Sequence, residues 1–102
     1  MIPLDKVKNI IKKHSKLEID LSSSNIDKKK FIEMSKEYSE ISEIVDDAKF
    51  YVSFERVKKE LEKIIYDKTS DKEIINLANI ELSELVARNE KVKKKIDFFF
   101  IT

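Results

Sequence analysis

Residues 75–99 read INLANIELSELVARNEKVKKKIDFF, and apolar side chains recur along this segment at alternating steps of three and four. That spacing brings them to one face of a helix and is typical of a coiled-coil pairing. The positions on this face are Ile75, Ala78, Leu82, Leu85, Asn89, Val92, Ile96 and Phe99. The pattern predicts a long helix over about residues 71–99. Its one polar position, Asn89, either fixes the register of a helix pair or lies at the solvated edge, and we favour the edge.

A second segment with the same alternation precedes this one. It runs from Phe31 to Val52 and predicts a helix that begins near Asp27 and extends to about residue 66. From Phe54 onward the alternation resumes two residues out of phase. A phase slip of this kind requires a change of winding or a kink, which we expect near residues 51–54.

A shorter apolar stripe near the start of the chain predicts a first helix over about residues 4–20. Residues 21–27 and 67–72 are polar and predict the two connections. A short connection between two long amphipathic helices favours antiparallel packing. We therefore expect an all-α fold: an elongated antiparallel helical hairpin, coiled-coil-like, with a third N-terminal helix packed along it. Residues 1–102 are expected to form a single domain.

The composition restricts the classes of function. The chain has no glycine and one proline, which argues against hairpin-rich sheets and glycine-rich nucleotide loops. It has no cysteine, so it contains neither a disulfide nor a thiolate metal site. Twenty-one basic residues balance 20 acidic ones, so no global field attracts nucleic acid. No apolar segment is long enough for a membrane, and we expect a cytoplasmic protein.

The sequence offers no catalytic constellation. His14, the only histidine, lies on the apolar face of the first helix without recognisable acid or base partners, and we interpret it as a half-buried or surface residue. Asp46 and Asp47 are adjacent on a helix, point in different directions and cannot jointly bind an ion. We expect no catalytic, metal or cofactor-binding residues and no cofactor.

Two segments carry a resemblance to a known family. Residues 31–45, FIEMSKEYSEISEIV, contain Ser35, Lys36, Glu37 and Tyr38, and residues 71–82 read DKEIINLANIEL. These segments resemble the class-I peptide chain release factors, in particular the release factor 1 group, with its SKEY signature and its acidic opening followed by Ala and Glu-Leu. Residues 99–102, FFIT, stand where that family commonly has Leu-Leu-Leu-Pro at a domain junction. Lys28, Lys72 and Thr102 replace prolines that are common in the family.

The resemblance implies the N-terminal domain of a longer factor that terminates translation at the stop codons UAA and UAG. The family's peptide-releasing Gly-Gly-Gln loop lies in a later domain, so the resemblance implies no enzymatic activity for this one. It implies contact with the ribosome near the base of the large-subunit stalk and with the class-II release factor GTPase. A coiled-coil adaptor or chaperone, and the helical arm of an aminoacyl-tRNA synthetase, remain alternatives.

Three surfaces are candidates for such contacts. The basic triplets Lys28, Lys29, Lys30 and Lys93–Lys95 have the charge to touch ribosomal RNA phosphates, although either can be a solvated helix face. We favour the hairpin tip with Asp67, Lys68, Thr69 and Lys72, because a distal tip is well placed to meet a partner. The adjacent Phe98, Phe99 and Phe100 cannot all face one helix seam, so we expect part of this surface to be exposed in a truncated chain or covered by self-association.

Overall fold

The structure is a computed structural model that describes residues 2–23 and 25–101. Within those ranges the chain forms four helices and no strand: α1 (Leu4–Leu21), α2 (Lys28–Ser42), α3 (Val45–Tyr66) and α4 (Lys72–Ile101). The predicted all-α class is confirmed. The loop residue Ser24 and the predicted junction residue Thr102 lie outside the described residues.

Helices α3 and α4 form an antiparallel hairpin. The guanidinium of Arg88 lies 4.2 Å from the ring centroid of Phe50, whereas further out Leu61 and Leu85 line one groove. Residues successively later in α3 therefore lie beside residues successively earlier in α4, so the two helices run in opposite directions. The chain measures 60 × 29 × 19 Å along its principal axes. The predicted elongated hairpin is confirmed.

Helix α1 runs antiparallel to both α2 and α3. The Tyr51 hydroxyl donates to the Ile2 carbonyl over 3.4 Å, and His14 Nε2 lies 3.0 Å from Ser42 Oγ. At the far end of α1, the Tyr38 hydroxyl donates to Glu18 Oε1 over 3.4 Å. The first helix thus packs along the hairpin as expected, and it covers the point where α2 meets α3.

The second predicted helix, residues 27–66, is two helices in the structure. Helix α2 ends at Ser42 and α3 begins at Val45. Ile44 has φ −116° and ψ −10°, and its amide donates to the Ile41 carbonyl three residues back, over 3.0 Å. Such an i to i−3 bond is tighter than an α-helical one. It interrupts the helix while Ile41, Ile44 and Val45 all remain buried.

Across residues 51–54, where we expect a change of winding or a kink, α3 continues without a break from Val45 to Tyr66, and the break in the second predicted helix lies at residues 43–44. The slip in the apolar pattern coincides with a change of neighbours. Near its start α3 packs against both α1 and α4, and α1 begins beside Tyr51. Beyond that point only α4 covers α3, so a different face of the helix is apolar.

The core is concentrated at one end of the molecule. We call the region where α1 packs on α2 and on the start of α3, together with the adjoining end of α4, the base, and residues 57–85 the arm. The base contains the main buried cluster, formed by Ile2, Val7, Ile10, Leu17, Ile41, Ile44, Ala48, Val92 and Ile96. In the arm, only Leu61 and Ala78 are buried among the described residues. The arm is a two-helix structure with a thin apolar seam.

Asn89 lies between these regions and corrects a prediction. It is only 3% exposed, so it is inside the seam and not at the solvated edge. The predicted edge position is wrong because α1 begins close to this residue and closes it off; Ile2 and Leu4 line the same cleft as Asn89. Asn89 Oδ1 is buried without a hydrogen-bond partner among the described residues. An unpaired buried acceptor of this kind costs about 1–3 kcal/mol.

Candidate interaction surfaces

The hairpin tip is a tight polar turn between α3 and α4. Asp67 Oδ1 accepts hydrogen bonds from the Thr69 amide at 2.9 Å and the Thr69 hydroxyl at 2.7 Å. The Ser70 amide donates to the Asp67 carbonyl over 3.1 Å. An aspartate that binds the backbone two residues on makes an Asx turn, which needs no glycine. Asp67, Lys68, Thr69 and Lys72 are all exposed at this tip.

The same hydrogen bonds perturb Asp67. The Thr69 amide, and then the Thr69 hydroxyl, hold the pKa of the Asp67 carboxyl below its ordinary value of 3.8. Both donors stabilise the carboxylate and not the neutral acid. The Asp67 carboxyl at the tip therefore stays ionised to a lower pH than an ordinary aspartate does.

The lysines of the first triplet lie at the start of α2. Lys28, Lys29 and Lys30 are exposed, and the Asp27 carbonyl accepts the Phe31 amide over 2.8 Å. Helix α2 has no acidic residue in its first turn. Cations at a helix N-terminus add to the positive end of the helix dipole, which is unfavourable unless an anion approaches. The second triplet is less free, because Lys93 pairs with Glu90 at 3.3 Å.

The structure does not bring the lysine triplet and the tip together. Helices α2 and α3 follow one another along the long axis, and at 1.5 Å per residue their lengths are about 22 and 33 Å. Their sum is close to the 60 Å length of the molecule. Lys28–Lys30 and Asp67–Lys72 therefore lie toward opposite ends of the rod.

Sequence reasoning missed the partners of His14. Its ring stacks on Tyr38 with centroids 4.6 Å apart and planes at 20°, and its Nε2 lies 3.0 Å from Ser42 Oγ. The Ser42 hydroxyl also donates to the Tyr38 carbonyl over 2.7 Å. His14 is half-buried, as predicted. These groups join α1 to α2, and the available signal was the four-residue spacing of Tyr38 and Ser42, which places both on one helix face.

The SKEY residues therefore have a visible packing role. Tyr38 stacks on His14, and Glu37 forms an ion pair with Lys13 of α1. Ser35 is half-buried, whereas Lys36 is exposed. Two of the four signature residues, Glu37 and Tyr38, thus contact α1.

The aromatic residues at the end of α4 divide as the pattern predicted. Phe99 packs against the base core, whereas Phe98 and Phe100 are exposed. The rings of Phe99 and Phe100 meet edge to face with centroids 5.8 Å apart. The predicted exposure of part of this surface is confirmed, and self-association through it stays a prediction.

The described part of the chain contains neither a metal-binding group nor a membrane span. Across residues 2–23 and 25–101, no three histidine, aspartate or glutamate side chains are grouped so as to hold a metal ion. Over the same ranges, no helix has the length and apolar content that crossing a bilayer requires.

Known proteins resemble nearly the whole of this chain in sequence. The PCRF domain family matches residues 10–102. Peptide chain release factor 1 of Pelagibacter ubique is 48% identical over 101 residues, which are 99% of this chain and 28% of that protein. The proteins of the same name from Helicobacter hepaticus and from Wolbachia pipientis subsp. Culex pipiens are 32% and 34% identical, covering 96% and 88% of this chain and 27% and 26% of theirs. No solved structure matches at a significant level.

The chain therefore belongs to the PCRF domain family. The resemblance to the release factor 1 group is confirmed, and the matches favour it over a stand-alone adaptor or a synthetase arm. The chain spans little more than a quarter of the length of these relatives.

Proposed function

We propose that residues 1–102 form the N-terminal domain of a release factor, through which that factor contacts the ribosome during translation termination at UAA and UAG codons. The observation that carries the proposal is the family match over residues 10–102, joined to 48% identity with a release factor 1 over nearly the whole chain. In this proposal the domain is a non-catalytic contact module that acts in the cytoplasm.

The shape of the domain supports a contact role. A rod 60 Å long with exposed charged groups at both ends is suited to bridging two surfaces. We assign the tip residues Asp67, Lys68, Thr69 and Lys72 to a contact near the base of the large-subunit stalk or with the class-II release factor GTPase. We assign Lys28–Lys30 to ribosomal RNA phosphates, whose binding releases counterions.

A salt titration of binding to purified large ribosomal subunits tests these assignments. Replacing Lys28, Lys29 and Lys30 by glutamine should weaken binding and make the slope of log K against log salt shallower by up to about 3, or about 1 for each phosphate that is no longer neutralised. Lys8, Lys12 and Lys16 of α1 are equally exposed, and their glutamine variant is the control with the same change in charge. Equal effects of the two variants would reject the assignment of Lys28–Lys30.

The tip is tested separately with Asp67→Ala, Lys68→Ala and Lys72→Ala combined. If the tip contacts a protein, this variant should weaken binding while the salt slope changes little. If the combined variant binds the large subunit with wild-type affinity, the tip is not part of the contact surface.

A termination assay tests the non-catalytic role. The 102-residue chain added to ribosomes stalled at a stop codon should release no peptide above background. Stop-codon-dependent release of peptide by this chain would overturn the proposal.

A further inference from the structure

The outer face of the arm carries an apolar patch that the core does not use. Ile74, Leu77 and Ile80 on α4 are 51%, 62% and 56% exposed. At 100° per residue, Ile80 lies about 160° around the helix from the buried Ala78. This stripe therefore starts beside the seam and turns away from α3 toward solvent. Contiguous exposed apolar side chains of this size mark interaction sites more often than solvated faces.

The patch has an acidic border. The helical neighbours of Leu77 at three and four residues on either side are Glu73, Ile74, Ile80 and Glu81, and Glu84 adjoins Ile80 in the same way. These three glutamates are exposed, and the ion pairs of the described residues involve none of them. From residue 73 to residue 87 the chain contains no lysine or arginine. Arg88 lies four residues on from Glu84, a spacing at which the two charges meet on the helix surface, whereas Glu73 and Glu81 have no lysine or arginine three or four residues away on either side. The negative charge of this face therefore rests mainly on Glu73 and Glu81.

The chemistry of the face specifies its occupant. An apolar stripe flanked by carboxylates is complementary to an amphipathic helix whose apolar residues are flanked by lysine or arginine. Phosphate-rich nucleic acid is repelled by the same carboxylates. The face lies far from Lys28–Lys30 and begins directly after the tip residue Lys72.

We propose that the outer face of α4 in the arm, centred on Leu77, is a docking surface for a basic amphipathic helix of a partner protein. Leu77 is the expected anchor because it lies at the centre of the patch, with an apolar and an acidic residue on each side of it along the helix. Ile74 and Ile80 extend the contact by about one turn in each direction. The inference depends on the arm surface alone and stands apart from the proposed ribosome contact.

The test measures binding of a fluorescent synthetic peptide to the 102-residue chain by anisotropy. The peptide is an amphipathic helix of leucine and lysine about five turns long. A scrambled peptide of the same composition and a leucine–glutamate peptide are the two ligand controls. We expect saturable binding of the first peptide, with affinity that falls as salt rises, and at least about tenfold weaker binding of both controls.

Matched variants locate the site. Leu77→Gln should weaken binding about tenfold or more, as expected for a central anchor. Ile32→Gln is its control, since Ile32 of α2 is 60% exposed and lies outside the patch. Replacing Glu73, Glu81 and Glu84 by glutamine should weaken binding and flatten its salt dependence. The matched charge control replaces the exposed Glu33, Glu40 and Glu43. Unchanged thermal unfolding of each variant shows that its fold is retained.

Several results would overturn the proposal. The proposal is wrong if Leu77→Gln leaves the affinity for the leucine–lysine peptide unchanged. It is also wrong if the leucine–glutamate peptide binds as tightly as the leucine–lysine peptide. A second copy of the chain is tested by sedimentation equilibrium: if the chain dimerises and Leu77→Gln alone abolishes the dimer, the occupant is this protein itself. The glutamine variant of Lys28–Lys30 should still bind the peptide even if it no longer binds the large subunit. The docking surface and the ribosome contact are therefore tested independently.

Discussion

The base and the arm are built from the same kind of helix but are covered very differently. In the base, α1 packs across α2 and the start of α3, which in turn packs on α4, and Val7, Ala48 and Ile96 are completely buried. In the arm each helix has a single neighbour, and large apolar residues such as Leu77 remain exposed. The base differs from the arm in having a third helix, α1. The base therefore contains most of the buried core, whereas the arm leaves apolar side chains exposed. The arm is expected to open locally at a lower free energy than the base.

The largest effect should come from the base core. Ile96→Ala removes a side chain with no exposed area, so it should lower the free energy of unfolding by about 2–5 kcal/mol. Urea denaturation followed by circular dichroism measures the change. Ile80→Ala in the arm is the control, and it should stay within about 0.5 kcal/mol of wild type. Similar losses in the two variants would remove the distinction between base and arm.

A cavity in the arm should have a smaller and more local effect. Leu61→Ala deletes one of the two buried residues of the arm, and we expect a loss of about 2 kcal/mol, near the lower end for such changes. Amide hydrogen exchange should accelerate for residues 57–85, while amides of α1 exchange as in wild type. Acceleration of equal size in α1 would show that the two regions unfold as one cooperative unit.

Asn89 marks the border and should respond in the opposite direction. Asn89→Leu removes a buried oxygen that has no hydrogen-bond partner among the described residues, so the variant should be more stable by about 1 kcal/mol. The midpoint of urea unfolding checks this. The exposed Asn79 of the same helix provides Asn79→Leu as a control that should leave the midpoint unchanged. A clear loss of stability in Asn89→Leu would indicate that its amide has a partner, such as a bound water.

The smallest effect is expected at the tip. Because folding lowers the pKa of Asp67, its carboxylate contributes stability that is present above the ordinary value of 3.8 and is lost as pH falls through the lowered value. Thr69→Ala keeps the amide donor and removes the hydroxyl, so the pKa should rise only part of the way back. An NMR titration of the Asp67 carboxyl measures both values. An unchanged pKa in Thr69→Ala would assign the shift to the backbone amide alone.

The sequence predicted α4 well because α3 packs along most of its seam and the base core covers the rest. The seam positions Ile75, Ala78, Leu82, Leu85, Asn89, Val92, Ile96 and Phe99 are all buried or half-buried, as a regular alternation requires. The break at Ile44 was missed because Ile41, Ile44 and Val45 fit an unbroken helix equally well. Whether such a helix stays straight depends on the helices packed beside it, and periodicity carries no information about them.

The candidate surfaces show the same limit. Exposure of the tip and of Lys28–Lys30 followed from local polarity, and so did the exposed aromatic surface near Phe98. The contact of His14 with Ser42 joins residues 28 positions apart, so only the docking of α1 on α2 creates it. The burial of Asn89 likewise depends on where α1 begins. Sequence patterns describe one helix at a time, and these features belong to pairs and triplets of helices.

The position of α1 across the junction of α2 and α3 has a mechanical consequence. A rotation of about 10° at Ile44 would displace the far end of α3 by about 6 Å, since that helix is about 33 Å long. Helix α1 is fastened on both sides of the junction, through Tyr51 on one side and through Ser42 on the other. It therefore braces the junction, and the stiffness with which the rod transmits force between its ends depends on a helix that does not extend to the tip.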